Sequence, residues 1–139
     1  MNYKIVGKYI KEIKFNIPNP KTFFLLSKNI SNYKINIDIK SVQIKEKIIE
    51  IQTTLSLNPI KESFEKINTK IVYSTIVEIN NDTLSKKEIE KLILVEVPAK
   101  IYSELRKIFI FLFESSGFKE IKISETVDFD KLYKLRQIQ

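Results

Sequence analysis

Along the first half of the chain apolar residues recur at every second position; beyond Asn80 they recur at every third or fourth. The first spacing is that of a pleated strand and the second that of a helix. Ile13, Phe15 and Ile17 alternate with Lys14 and Asn16 until Pro18 and Pro20 end the run, because a prolyl nitrogen has no proton to give a ladder. Next, Tyr33, Ile35, Ile37 and Ile39 fall on one face, with Lys34, Asn36, Asp38 and Lys40 on the other. Val42 and Ile44 are out of phase with that stripe, which predicts a bulge near Ser41. Lys45-Glu46-Lys47 predicts a tight turn, and Ile49, Ile51, Leu55 and Leu57 a returning strand that Asn58-Pro59 stops. A fourth strand carries Ile67, Ile71, Tyr73, Val77 and Ile79 on one side and Val72 and Ile76 on its reverse. A sheet covered on one side should be polar on the other. The second stripe therefore predicts a cover, either an element of the same chain or another subunit.

In the second half, Ser85 followed by Glu88 is a capping-box pattern, predicting a short helix to about Leu92. Pro98 stands where a helix can begin and Gly117 where one can end. Between them Ile101, Leu105, Ile108, Phe109 and Leu112 form a stripe at helical spacing. Ile110 and Phe111 fall outside it, among Lys100, Ser103, Glu104 and Lys107, and Phe109, Phe111 and Phe113 cannot all face one core. A helix apolar on two sides in so small a domain predicts a partner surface. Asp128 can cap a last short helix holding Phe129, Leu132 and Tyr133. Phe23-Phe24-Leu25-Leu26 follows two prolines and fits neither period, so it is assigned to a connection, either a core plug or a hydrophobic binding wall. Strands followed by helices define an α+β layer architecture.

Composition narrows the chemistry. The chain has 139 residues, 43% hydrophobic and 29% charged, the size and balance of a single globular domain spanning 1–139. It has no cysteine and no histidine, so thiol chemistry, disulfides, imidazole bases and Cys- or His-ligated metals are excluded. Two glycines cannot build a phosphate-cradling loop. The carboxylate pairs Glu88/Glu90 and Asp128/Asp130 sit at expected helix starts, where negative charge suits the dipole, and Ser115 and Ser116 sit where a helix frays. No catalytic residue, metal site or cofactor is expected. The longest uninterrupted apolar run is Ile108–Phe113, far short of the ~20 residues that span a bilayer, and the lysine-interrupted N-terminus does not read as a signal peptide. A cytoplasmic protein without stable membrane insertion is expected. The net charge of +7 favours anionic partners, but 22 of the 24 basic residues are lysine, a point charge that reads bases poorly, so nucleic acid is not the expected partner.

Four segments in order give a more specific resemblance. YIKEIKFNIPNP (Tyr9–Pro20), KINID (Lys34–Asp38), VPAKIYSELR (Val97–Arg106) and VDFDKLY (Val127–Tyr133) resemble the SecB family of export chaperones over nearly the whole chain. The resemblance implies a four-stranded antiparallel sheet with helices on one side, assembling as a dimer of dimers. It implies a holdase that keeps unfolded or nascent secretory polypeptides in hydrophobic grooves without ATP and passes them to the SecA motor. Carried over by position, Phe23, Phe24, Leu25 and Leu26 would lie near the groove with Phe109 and Phe113 of the long helix. Ile71, Val72, Tyr73, Ile76, Ile110 and Phe111 would serve subunit contacts. The family's motor-binding sheet face uses acids; here Glu12 keeps one, while Asn16 and Lys70 stand at two further positions. The chain is also basic where the family is acidic, and it reaches Gln139 without the usual acidic extension. The alternative is a SecB-like module dedicated to one partner, such as an antitoxin or an envelope protein, without handover.

Overall fold

The computed structural model describes residues 2–60, 67–80, 82–118, 121 and 123–138, the side chains of 136–138 excepted. Four strands, β1 (Tyr3–Asn16), β2 (Tyr33–Lys45), β3 (Ile48–Pro59) and β4 (Asn68–Ile79), form one antiparallel sheet in the order β1-β4-β3-β2. The two outer strands are thus the first two in the sequence. The helices lie against the face that presents Ile71, Tyr73, Val77, Leu55 and Leu57.

β1 begins well before the Ile13–Ile17 alternation, because two register shifts, between Ile5 and Gly7 and between Ile10 and Glu12, reset its phase. No single period runs through it, which is why alternation revealed its last part alone. The bulge expected near Ser41 is not there. β2 pairs with β3 without interruption from Tyr33 to Gln43 and slips between Gln43 and Lys45. Val42 and Ile44 therefore lie on the side away from the helices, both 53% exposed. The turn at Glu46-Lys47 is made with Lys47 at φ 68°, its carbonyl accepting from the Ile79 N–H at 2.7 Å.

The connection containing Phe23–Leu26 is helical: α1 (Pro20–Asn29) has Pro20 in its first turn, and the Asn19 side chain accepts from the Thr22 N–H. A 3-10 turn at Ile30–Asn32 leads into β2. The two helices expected around Leu92 and Pro98 are joined. α2 (Lys86–Lys91) opens with the full Ser85/Glu88 capping box and continues through a π-helical stretch, Leu92–Glu96, into α3 (Val97–Ser115). Pro98 cannot donate to the preceding turn, and the widened turn, in which the Val97 N–H reaches the Leu92 carbonyl, accommodates it without a break. α3 ends at Ser116 and at Gly117, which takes φ 97°. The Asp128 side chain caps α4 (Phe129–Ile138) through the Lys131 N–H at 3.0 Å.

The buried seam of α3 is Ile101, Leu105, Phe109 and Phe113, each 1% exposed or less, spaced four apart. At ~1.5–3 kcal/mol per buried side chain, this seam contributes on the order of 10 kcal/mol of gross burial. It packs on Leu55, Leu57, Ile71 and Tyr73, while a second cluster gathers Tyr3, Ile49, Ile51, Val77 and Ile79 under Leu92 and Val97. Between them a polar tie crosses from sheet to helix. The Glu104 carboxylate accepts from Lys8 at 2.7 Å and from the Tyr73 hydroxyl at 2.8 Å. Lys8 and Tyr73 hold the Glu104 carboxyl below the usual range, and burial pushes the Tyr73 phenol up to about 12.

Candidate functional site

β2 is an outer strand whose helix-side stripe is covered only in part: Tyr33, Ile35, Ile37 and Ile39 are all half-buried. Beside them opens a cavity of about 870 Å³. Its near wall is Tyr33, Ile35 and Ile37 with Leu57 of β3; one end is the close of α1 and the turn after it, Ser27, Lys28, Ile30 and Ser31. The far wall is Ile121, Ile123, Ser124, Val127 and Leu132, and Tyr102 of α3 also lines it. A smaller cavity of about 200 Å³, lined by Ile39, Leu94, Phe129 and Tyr133, shares Ile37 and Leu132 with the first. The two make one trough along β2.

The far wall is an irregular segment, yet it is tied down. The Tyr102 hydroxyl donates to the Ser124 carbonyl at 2.7 Å, the Arg106 Nε–H donates to the Ile123 carbonyl at 3.1 Å, and Phe129 packs edge-on against Tyr102. Burial pushes the Tyr102 phenol up, so it stays a neutral donor. The near wall is a strand whose outer edge pairs with no other strand among the described residues. Ile60 N–H donates to the Asn32 carbonyl at 2.8 Å, so that pair is a hydrogen-bonded one. By alternation, even residues of β2 turn their backbone to β3, and Ile35, Ile37 and Ile39 turn theirs to the outer edge, while the Tyr33 N–H donates to the Ile30 carbonyl. The trough brings aliphatic and polar side chains together with the outer strand edge at Ile35, Ile37 and Ile39, which suits an extended polypeptide.

Of the residues singled out in the sequence, Leu26, Phe109 and Phe113 are fixed in the core, and Phe23 is half-buried with its ring 4.9 Å from that of Phe118. Phe24 and Leu25, 69% and 42% exposed, stand outward on α1. Ile71 and Tyr73 belong to the core; Val72 and Ile76 lie on the opposite face of β4, where Val72 is nearly covered by the flanking strands. Ile110 is half-buried and Phe111 is 67% exposed. Glu12, Asn16 and Lys70 share the open face of the sheet, where the Glu12 carboxylate lies 3.6 Å from Lys14 and 3.5 Å from Lys70. Glu88 and Asp128 act as helix caps, and the Ser116 hydroxyl donates to the Leu112 carbonyl. Among the described residues no acidic cluster could hold a metal, and no helix is long and apolar enough to cross a membrane. The trough's far wall escaped the sequence reading because residues 119–128 have no period. The stripe on β2 was legible, but not that its strand is an edge.

A one-sided sheet with a trough along its outer strand has the form of a binding protein. The family model described as preprotein translocase subunit SecB matches residues 1–139, and the chain belongs to the SecB family of protein-export chaperones, which are not enzymes. It is 42% identical over 135 residues to a putative protein-export protein SecB of Pelagibacter ubique, covering 97% of this chain and 96% of that one. It is 22% identical to a protein-export protein SecB of Anaplasma phagocytophilum, covering 94% and 89% of the two chains. Among solved structures it is similar in fold to a SecB-like chaperone of Mycobacterium tuberculosis in complex with a ChAD peptide from the HigA1 antitoxin. The TM-score there is 0.61 at 9% identity, covering 88% of this chain and 91% of the other.

Proposed function

We propose that the protein is an ATP-independent holdase of the cytoplasm that keeps unfolded preproteins extended in the trough beside β2. The observation that carries this reading is the coincidence of a trough lined by aliphatic and polar side chains with the outer edge of the strand that walls it, which pairs with no other strand among the described residues. Apolar contact is non-directional, and a backbone ladder is the same for every sequence, so the pair of them selects for unfoldedness. Half of the lining residues are aliphatic, and Ser27, Lys28, Ser31, Lys34, Asn36 and Ser124 add polar groups among them.

Assembly as a dimer of dimers fits the exposed apolar residues on the β1 side. Ile10 and Ile13 on the edge strand are each 44% exposed, and Phe111 stands out from α3. Such a patch on a lone monomer would be a liability. Delivery to the SecA motor is the less favoured part of the reading. At one end of the open sheet face Lys14 and Lys70 flank the Glu12 carboxylate, where the resemblance would place acids for the motor, and two cations there weaken that match.

The test is light scattering of an unfolded client diluted with the protein. Stoichiometric tetramer should suppress aggregation without ATP, and Ile37→Asp, which puts a charge in both parts of the trough, should abolish the suppression. Suppression unchanged in Ile37→Asp would overturn the assignment of the trough.

A further inference from the structure

The face of the sheet turned away from the helices holds a second recognition surface of different chemistry. On it Lys14 of β1 and Lys70 of β4 are direct cross-strand partners. Like charges placed opposite each other weaken a sheet. Here two ammonium groups share one oxygen of one carboxylate, Glu12 Oε1, at 3.6 and 3.5 Å, both too long for strong hydrogen bonds. The pair therefore keeps one positive charge in excess. The next cross-strand row toward the end of the sheet is Asn16 opposite Asn68, both exposed. This end of the face presents amide donors and ammonium groups, with Glu12 set one row back.

From this we infer that the Lys14–Lys70 end of the open sheet face docks an acidic polypeptide segment, one of whose carboxylates completes the charge balance of Lys14, Lys70 and Glu12. A flat sheet suits an extended acidic peptide. Single-stranded nucleic acid would need aromatic platforms, and Tyr9, the aromatic of this face, is engaged by Glu50 at 2.6 Å. The surface is separate from the trough, on the opposite side of the sheet, and does not depend on the holdase reading.

The experiment is fluorescence anisotropy of a labelled poly-glutamate peptide titrated with the full chain at low and high salt. Binding should weaken with salt, and Lys14→Glu/Lys70→Glu should weaken it about 10- to 30-fold, as expected for two exposed charge pairs. The same charge change on the helix side, Lys86→Glu/Lys87→Glu, should leave it within about twofold, the range of a diffuse field effect. Should the double glutamate variant fail the circular-dichroism check, Lys14→Gln/Lys70→Gln reads the same site with a smaller loss. Suppression of client aggregation should be unchanged in these variants, which separates this surface from the trough. The proposal falls if the peptide does not bind, if both charge reversals weaken it equally, or if a labelled oligothymidylate binds the same lysines more tightly than the peptide.

Discussion

Replacing Glu50 by glutamine isolates the strongest polar anchor of the open sheet face. The Glu50 carboxylate accepts from the Tyr9 hydroxyl at 2.6 Å, the Ser74 hydroxyl at 2.8 Å and the Gln52 amide at 3.0 Å, with Lys11 at 3.6 Å. It joins β1, β4 and β3. These donors, Tyr9 foremost, pull its pKa from 4.5 down to about 2. A shift of that size corresponds to roughly 3 kcal/mol at about 1.4 kcal/mol per unit, before screening. The carboxylate sits on a face open to water, so about 1–2 kcal/mol is expected to survive. The sign follows from linkage. A carboxyl depressed on folding adds stability that is complete above its unfolded pKa and is lost as pH falls through the folded value, here between 4.5 and about 2. Glutamine keeps the shape and one oxygen for Tyr9 and Ser74, which share Oε2, but loses the charge and turns an NH2 toward the Gln52 amide and Lys11 where Oε1 accepted. Urea unfolding at fixed protein concentration should find Glu50→Gln about 1–2 kcal/mol less stable at neutral pH, a fall of roughly 3–8 °C in Tm. The gap should close as pH approaches the folded pKa. A gap that stays constant with pH, or none at neutrality, would refute the reasoning.

Phe111→Asp should leave the far-UV circular dichroism intact and lower the particle mass from about four times 16.4 kDa, as read by light scattering after size exclusion. Burying the remaining surface of one phenyl is worth ~1–2 kcal/mol per subunit. Loss of the fold instead would show that Phe111 is a core residue. Ile37→Asp should spare assembly while removing client holding. Gly117→Ala should lower stability by about 1–2 kcal/mol, since φ 97° disfavours a side chain and the added Cβ would meet the Phe23 ring at 3.3 Å. A Tm equal to wild type would show that this helix end relaxes freely.

Much of the local structure was legible because it rests on near neighbours. The Ser85/Glu88 capping box, the Asp128 cap and the Gly117 stop are set by residues within one turn of each other. The buried seam of α3 follows from helical spacing, as does the exclusion of Phe111 from it. What failed had other causes. β1 hid its start behind two bulges, and Val42 and Ile44 are outward-facing apolar residues of a continuous strand. Pro98 sits inside a helix because a widened turn accommodates it.

By itself the sequence determined the periods, the caps, the surplus of apolar positions and the lack of cysteine and histidine, none of which depends on how distant parts of the chain meet. Only the tertiary structure decided that β4 lies between β1 and β3, which leaves β2 an edge of the sheet and its stripe Tyr33–Ile39 the wall of a trough. It also brought Lys14 opposite Lys70. Strand order is settled by which long-range pairings bury the most surface once the whole chain competes, and no local spacing records that outcome.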